Sequence, residues 1–476
     1  MKQVDLFIET KHLYTMAGDG VGYEEDKVIV VDQGKIIAIG NKQDLAPLYT
    51  PVRSIDARSK LVLPGFIDGH MHARHGFVRG VAQDLGQNAW MMEGMAPFEA
   101  FSDDEAKYLA ARVTLGEAIL NGTTTLGDDG PDMAGSLRVI RDYGARGNVS
   151  VRVRDAAQKV YAAGELYDFD DKVGQRSLDD CLRLFDAYDG VDGGRIRVRF
   201  GPQGCDFVSK SMLQEVKRLS KERGSKIHMH LQQGSRETAQ MEKRYGCRSI
   251  PMLAEMGYLD KDFIGIHLAD AFDDEVKTVA ESGASMILCS NSIGIIRGEI
   301  PPAKLFQDYG GWVGLGTDQC AGNNCHNMFS EMKLTAILNK CKFHDPACMP
   351  AWKVLRMATI EGANALGISD VTGSIEVGKD ADIIFIDLGC STMSPIYTQP
   401  MRNLVPNLVY SARGNEVDTV MVKGRLLVEN GVPLTFDLRQ AVADMQQVAD
   451  RIGPLAAPKF WSIHGENAVS MEKGRL

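Results

Sequence analysis

The stretch from Pro64 to Gly80, PGFIDGHMHARHGFVRG, sets His70 and His72 two residues apart, at the end of an apolar run that begins at LVLPGF. Only ten histidines occur in the 476 residues. Side chains along a strand alternate in direction, so a His-x-His pair aims two imidazoles at one point. Later apolar runs end in the same residue types: KIHMHLQ carries His228 and His230, FIGIHLAD carries His267, and WVGLGTD ends in Asp318. Two imidazole nitrogens joined by a third and by a carboxylate suit a divalent metal of the zinc or iron kind, with water completing its shell. A lone histidine closing a strand is more often a hydrogen-bonded structural residue. Four separate runs that all end in ligands or acid–base groups point instead to a shared centre.

Such a centre needs elements that bring the four ends together. From residue 121 onward, short β-rich runs alternate with helical ones: NGTTTLGDD with AGSLRVIRDYGARG, GRIRVRFGP with SKSMLQEVKRLSKERG, KIHMHLQ with RETAQMEKRYG, and DFIGIHLAD with DDEVKTVAESG. Repeated β-then-α units of this length imply parallel strands with crossover helices. The closure expected is a (β/α)8 TIM-like barrel, whose active residues sit at the C-terminal ends of the strands. The two chain ends have another texture. VDLFIET, KVIVVDQGKIIAIG and VRSIDARSKLVLPG lead in, and GSIEVGKDADIIFIDLG, LVPNLVYSA and VDTVMVKGRLLVENGV follow the barrel, with glycines at the hairpin turns. They are expected to build one small β-sandwich. The division expected is therefore 1–60 and 372–435 for the β-sandwich, 61–371 for the barrel, and 436–476 for an amphipathic C-terminal helix and polar tail.

Composition narrows the partners. A formal charge of −10 argues against nucleic acid, which calls for a clustered basic surface. No stretch approaches the ~20 apolar residues of a membrane span, and the N-terminus lacks the apolar core of a signal peptide. A cytoplasmic enzyme with a small-molecule substrate is expected. The nine cysteines form no CxxC pair, so neither a disulfide framework nor a thiolate zinc finger is indicated.

In combination these blocks resemble the amidohydrolase superfamily, in the branch of S-adenosylhomocysteine and guanine deaminases and triazine chlorohydrolases. LVLPGFIDGHMHARHGFVRG is similar to its proline-glycine, His-x-His, arginine-glycine signature. HMHLQQ, IHLADAFDDEV, GLGTDQCAGNNCHNMFSEMKL and LRMATIEGANALGISDVTGSIEVGKDADIIFID match its later blocks, so the likeness runs over residues 5 to 430. It implies one divalent ion, zinc first and iron, manganese or cobalt as alternatives, held by His70, His72, His230 and Asp318. His267 would stand beside the bound water or the substrate, and Asp318 would take the water's proton. His228 faces the same way as His230 and is read as a supporting residue behind the ligands. The resemblance also implies a homodimer or higher homo-oligomer.

One departure matters more than the matches. Three residues after His230 the deaminases carry a glutamate that protonates the ring nitrogen; this chain has Gln233, and an amide cannot shuttle a proton. Gln203 likewise stands where many relatives have histidine. The expectation is thus a mononuclear hydrolase in which metal-bound hydroxide attacks an electrophilic carbon of a small neutral urea-like, carbamoyl or substituted heteroaromatic compound. A non-peptide carbon–nitrogen bond breaks, or a halide or thiolate leaves. An amino-heterocycle deaminase acting on a purine, pterin or triazine is the alternative, and an inert interaction protein on the same fold is the reading from another class. Catalysis is assigned to His267, Asp318 and Gln233; substrate contacts to Trp90, Gln203, Gln233, Arg297, Asn324 and His326. For Trp90 a core role, and for Arg297 a surface ion pair, compete with those assignments.

Overall fold

In the computed structural model, which describes all residues except 158, 160, 162 and 163, the strands form two eight-stranded sheets. The first is a parallel ring. Its strands are β5 (Phe66–Met71), β6 (Thr123–Gly130), β7 (Arg146–Val153), β8 (Ile196–Pro202), β9 (Ile227–Leu231), β10 (Phe263–His267), β11 (Ser285–Leu288) and β12 (Val313–Leu315), paired in chain order. Their burial is nearly continuous rather than alternating, as expected for strands covered on both faces. A parallel bridge between Met71 and Asp318 brings the last strand back to the first and closes the barrel. Each crossover carries at least one helix, from Asp104–Leu120 behind β5 to Ser290–Arg297 behind β11. The (β/α)8 barrel is therefore present.

The second sheet draws on both chain ends. It orders β16 (Val432–Pro433), β15 (Arg425–Glu429), β14 (Val417–Val422), β13 (Ile383–Asp387), β4 (Tyr49–Pro64), β1 (Lys2–Tyr14), β2 (Tyr23–Asp32) and β3 (Lys35–Gly40). The two ends meet where β13 runs antiparallel to β4, with Ile383 opposite Pro64 and Phe385 opposite Val62. Ile8, Leu13, Ile29, Val31, Val62, Ile383 and Met421 share one buried apolar cluster there. Gly65 separates the sheets because nothing larger fits: a Cβ would lie 2.1 Å from the Thr124 methyl.

Two expectations change. LVPNLVY is the helix Leu404–Tyr410, not a strand, because its buried Leu404, Val405, Leu408 and Val409 recur at helical spacing. The C-terminal tail is not merely polar chain: after the helix Leu438–Ile463 comes a second, Glu466–Glu472. The long helix lies on Asp104–Leu120 through Val448, Ile452, Ala456 and Ala106, with ion pairs Arg112–Asp444 at 2.5 Å and Arg451–Asp103 at 2.6 Å. No helix among the described residues is long and apolar enough to cross a membrane.

The sheets are also tied by charge. Arg146 opens β7, and its side chain is 3% exposed; Nε donates to Asp382 and Nη2 to Asp380, each at 2.7 Å. Lys35 of the second sheet reaches Asp380 as well, at 2.7 Å. Removing one partner of a buried ion pair strands the other, typically at about 3–5 kcal/mol. Arg146→Met is expected to destabilise the protein by about 3 kcal/mol, read as a lower denaturant midpoint. An unchanged midpoint would show that apolar packing alone joins the layers.

Candidate active site

The polar residues that end the barrel strands converge on one buried spot. His70 ends β5 and His72 follows it; His230 lies in β9, His267 closes β10, and Asp318 follows β12. His70 and His267 are 0% exposed, Asp318 3%, His72 4% and His230 5%. Potential ligand atoms of His70, His72 and Asp318 lie within 4.8 Å of one another, as do those of His70, His230 and His267. Asp318 Oδ1 is 3.2 Å from His72 Nε2 and 3.7 Å from His70 Nε2, and Oδ2 is 3.9 Å from His267 Nε2.

The surrounding hydrogen bonds aim these groups. His72 Nδ1 meets the Asp129 carbonyl at 2.8 Å, which places a proton on Nδ1 and turns Nε2 toward Asp318. His70 Nδ1 meets His228 Nε2 at 2.9 Å, so His228 stands behind His70 as expected. Ser292 donates its hydroxyl to Asp318 Oδ2 at 2.5 Å. What remains unsatisfied is informative: His70 Nε2, Asp318 Oδ1 and both ring nitrogens of His267 are buried without a hydrogen-bond partner. Buried polar atoms of this kind cost about 1–3 kcal/mol each when left unpaired. Three imidazoles and a carboxylate with free lone pairs make a donor set that fits a divalent cation.

Electrostatics keeps those lone pairs available. Burial pushes His70 and His230 well below the usual histidine range and His267 down to about 4, so these rings are neutral. Burial also acts to raise Asp318, yet the contact with His72, 3.2 Å away, holds it well below the usual carboxylate range, and the same contact outweighs burial to raise His72.

Above the centre opens a cavity of about 470 Å³. Its apolar lining comes from Trp90, Met91, Met95, Ile293 and Ile296, and its polar lining includes Gln203, Gln233, His75 and Glu99. Trp90 is buried and also lines the cavity. It is 8% exposed in a single π-helical turn, Trp90–Met95, and gives its indole N–H to the Ala321 carbonyl at 3.0 Å while its ring faces the cavity. Gln203 lines the cavity with Oε1 unpartnered.

Gln233 is held by its backbone. Its N–H donates to Glu237 at 2.8 Å, and its carbonyl accepts from Arg297 Nη1 at 2.6 Å. Arg297 also pairs with Glu299 at 2.7 Å, so it lines the cavity while being fully engaged, which is the ion-pair reading of that residue. The next residue, Gly234, has φ +139°, and a Cβ there would lie 1.5 Å from Arg297 Nη1. Only glycine lets the guanidinium sit against this peptide.

Asn324 and His326 are not part of the wall. Asn324 adopts a left-handed φ of 64° in a turn whose N–H returns to Cys320, while its neighbour Asn323 points inward to the Thr317 carbonyl at 2.8 Å. His326 is buried behind the Asp318 loop, between the Thr317 hydroxyl at 2.7 Å and the Cys320 thiol at 3.3 Å. Burial pushes it down to about 3, so it serves as a neutral strut.

Several wall residues went unrecognised in sequence. Asp129 ends β6, accepts Ser150 and Arg152, and lies within 4.8 Å of His72 and His230 ligand atoms. It closes a strand just as the recognised residues do, in TTTLGDDG, so the same rule finds it. His75 sits inside the opening signature and pairs with Glu99 at 3.1 Å. The arginines of the wall, Arg74, Arg152, Arg154 and Arg236, have no distinguishing local pattern.

Comparison with known proteins agrees with this geometry. The chain is 31% identical over 445 residues to the 5'-deoxyadenosine deaminase of Methanococcoides burtonii, covering 94% of this chain and 97% of that one. It is 30% identical over 455 residues to the 5-methylthioadenosine/S-adenosylhomocysteine deaminase of Caldanaerobacter subterraneus subsp. tengcongensis, with 94% and 99% coverage. An adenosine deaminase from Xanthomonas campestris with bound zinc superposes with a TM-score of 0.86 at 27% identity over 95% of this chain and 99% of that one. The atrazine chlorohydrolase of Arthrobacter aurescens TC1 complexed with zinc shares the fold, with a TM-score of 0.82 at 22% identity, covering 93% of this chain and all of the other. Residues 61–427 match the model of the amidohydrolase family, and the chain belongs to that family.

Proposed function

We propose that the protein is a divalent-metal hydrolase that cleaves a non-peptide carbon–nitrogen bond, or displaces a comparable leaving group, on a small urea-like, carbamoyl or heteroaromatic compound. The observation that carries this reading is the set of unpartnered buried nitrogens of His70 and His267 together with the free Asp318 oxygen, which lines the cavity. His70, His72, His230 and Asp318 would hold the ion, and zinc is the ion favoured, since both solved relatives described above bind it. When bound, such an ion lowers the pKa of a water molecule from 15.7 toward ~7 and supplies a nucleophile at neutral pH.

The chain's own residues then divide the proton handling. Asp318, ionised, would meet the ion through Oδ1 and accept the proton of the attacking water at Oδ2, the oxygen that Ser292 orients and that lies 3.9 Å from His267. His267 is neutral and, with a ring nitrogen free toward the cavity floor, orients the nucleophile or polarises the substrate. Gln233 offers an amide to the substrate and no transferable proton. Leaving groups that depart without a strong acid, or that take the proton Asp318 has collected, match this arrangement. Trp90, Met91, Ile293 and Ile296 give a flat or flexible apolar body its contact surface.

A second reading, an amino-heterocycle deaminase, is favoured by the names of the relatives, which act on adenosine derivatives. Substrate identity separates the two. A panel of ureas, carbamates, aminopyrimidines, pterins, triazines and adenosine derivatives is the direct assay.

Dialysis against a chelator is expected to abolish turnover, with zinc restoring it, and metal analysis should return one ion per chain. Asp318→Asn should lower kcat/KM by about 10³-fold. Full turnover in metal-free protein would overturn the reading. Gln233→Glu supplies the proton donor that the amide lacks, and is expected to raise deamination of adenosine derivatives by about 10²-fold. If that variant leaves deamination unchanged while urea or carbamate hydrolysis falls, the amide itself serves the native reaction.

A further inference from the structure

Another cavity lies at the end of the barrel opposite the His–Asp centre. The helix Ile360–Leu366 packs against that end, where its Ala363, Ala365 and Leu366 share a buried cluster with Ile67, Ile264, Ile266 and Ile287. Beside it, where β7 and β8 begin, a space of about 280 Å³ lies between the barrel and the second sheet. Arg146 and Asn148 of β7 and Arg197 of β8 line one side; Lys35 of β3 and Lys423, in the turn between β14 and β15, line the other. Behind Asn148 sits Arg199, 3% exposed and with no carboxylate within 4.0 Å among the described residues. Its Nε donates to Asn148 Oδ1 at 2.9 Å and its Nη2 to the Leu366 carbonyl at 3.3 Å. Asn148 is 1% exposed, and with Oδ1 committed to Arg199 its Nδ2 has no acceptor.

The carboxylates nearby are occupied elsewhere. Asp380 is shared by Arg146 and Lys35, each at 2.7 Å, and by Lys423 at 3.9 Å, while Asp382 takes a second bond from Arg146. Arg197 has its Nε 3.6 Å from Asp189, beyond hydrogen-bond reach, and Lys423 spends one N–H on the Gly193 carbonyl at 2.8 Å. Asp370, exposed at the lip, is the remaining acid of the lining. None of these meets Arg199, which burial, and then the charge of Arg197, pushes down to about 10, still protonated at neutral pH. A buried guanidinium answered only by neutral acceptors is costly, and so is the unpaired amide beside it. Water or a neutral ligand would satisfy the amide and leave the charge; an oxyanion answers both. The donors come from β7, from β8 and from the second sheet, so a tetrahedral anion reaches more of them than a planar carboxylate can.

We propose that this cavity is a binding site for a phosphate group, free or carried by a small ester, held by Asn148, Arg197 and Lys423, with Arg199 supplying charge from behind. The site lies at the far end of the barrel from the reacting centre and is independent of the hydrolase reading. Its occupant ties the first residues of β7 and β8 to the turn between β14 and β15, and so strengthens the joint between the barrel and the second sheet.

The test is calorimetric titration of the full chain, metal-loaded and metal-free, with inorganic phosphate and with glycerol 3-phosphate. Millimolar or tighter binding of at least one probe is expected in both forms of the protein. The tighter of the two tells whether the free ion or an ester is the ligand. Arg197→Gln and Lys423→Gln change side chains that are 40% and 23% exposed, which the fold tolerates. Each is expected to weaken binding by about tenfold, whereas Asp370→Asn, which removes a negative charge from the lip, should strengthen it by about threefold. The bound probe should also raise Tm in the parent protein, and by less in the two Gln variants. No binding of either probe overturns the proposal, and so does binding that both Gln variants retain at full strength. Binding that disappears with the metal places the anion at the opposite end of the barrel and likewise overturns it.

Discussion

Barrel closure and site assembly are one event in this protein. The Asp318 N–H donates to the His70 carbonyl at 2.8 Å, and the His72 N–H donates to the Asp318 carbonyl at 2.9 Å. These two backbone bonds carry the parallel bridge between the first and last barrel strands. The residues they join are the same ones whose side chains converge beneath the cavity. Asp68 tightens the seam from inside the ring, accepting the Thr317 N–H at 3.0 Å and its hydroxyl at 2.6 Å. The seam cannot slip by a residue without turning His70, His72 and Asp318 out of the centre.

That constraint leaves visible strain. Asp318 has φ of 62° and His267 of 75°, a region that L residues with a Cβ avoid, and neither is a glycine. Such conformations cost about 1–3 kcal/mol and persist only where surrounding contacts over-determine them. Here the contacts are on hand: His326 holds Thr317 from behind, Ser292 holds the Asp318 carboxylate, and His228 backs His70. Burial lowers the pKa of His70, His230 and His267, in a pocket where free lone pairs are a net cost until a cation uses them. Stability is spent at this spot in two currencies, backbone strain and unpaired polar atoms: His267 and Asp318 carry both, and His70 adds an unpaired nitrogen.

Those five were legible because chemistry and periodicity coincide: each is a ligand type at the end of an apolar run of strand length. The rest of the wall was not, for identifiable reasons. Asp129 obeys the same rule, but its run ends in two adjacent acids, GDD, and nothing in their type or spacing marks which of the two reaches the centre. His75 comes three residues after His72, in a short 3-10 turn that no periodicity marks. For Asn324 the choice lay between adjacent amides, and only the left-handed turn decides that Asn323 faces inward. Leu404–Tyr410 is seven residues, short enough that strand and helix patterns overlap. The arginines of the wall carry no local pattern at all, since their meaning depends on which carboxylates the tertiary fold places beside them.

Gln233 gives this family resemblance its sharpest physical content. Its peptide is fixed from both directions, by Glu237 at the nitrogen and by Arg297 at the carbonyl, and Gly234 admits the guanidinium where any Cβ would collide. None of these contacts involves the side chain at position 233. The backbone thus presents whatever side chain is encoded there to the cavity beside the His–Asp cluster, and exchanging an acid for an amide at this position leaves the frame undisturbed. A barrel built in this way separates two functions that a loop would entangle. The strand ends and their backing residues fix the His–Asp cluster, and a single exchangeable side chain on a clamped peptide lines the cavity beside it.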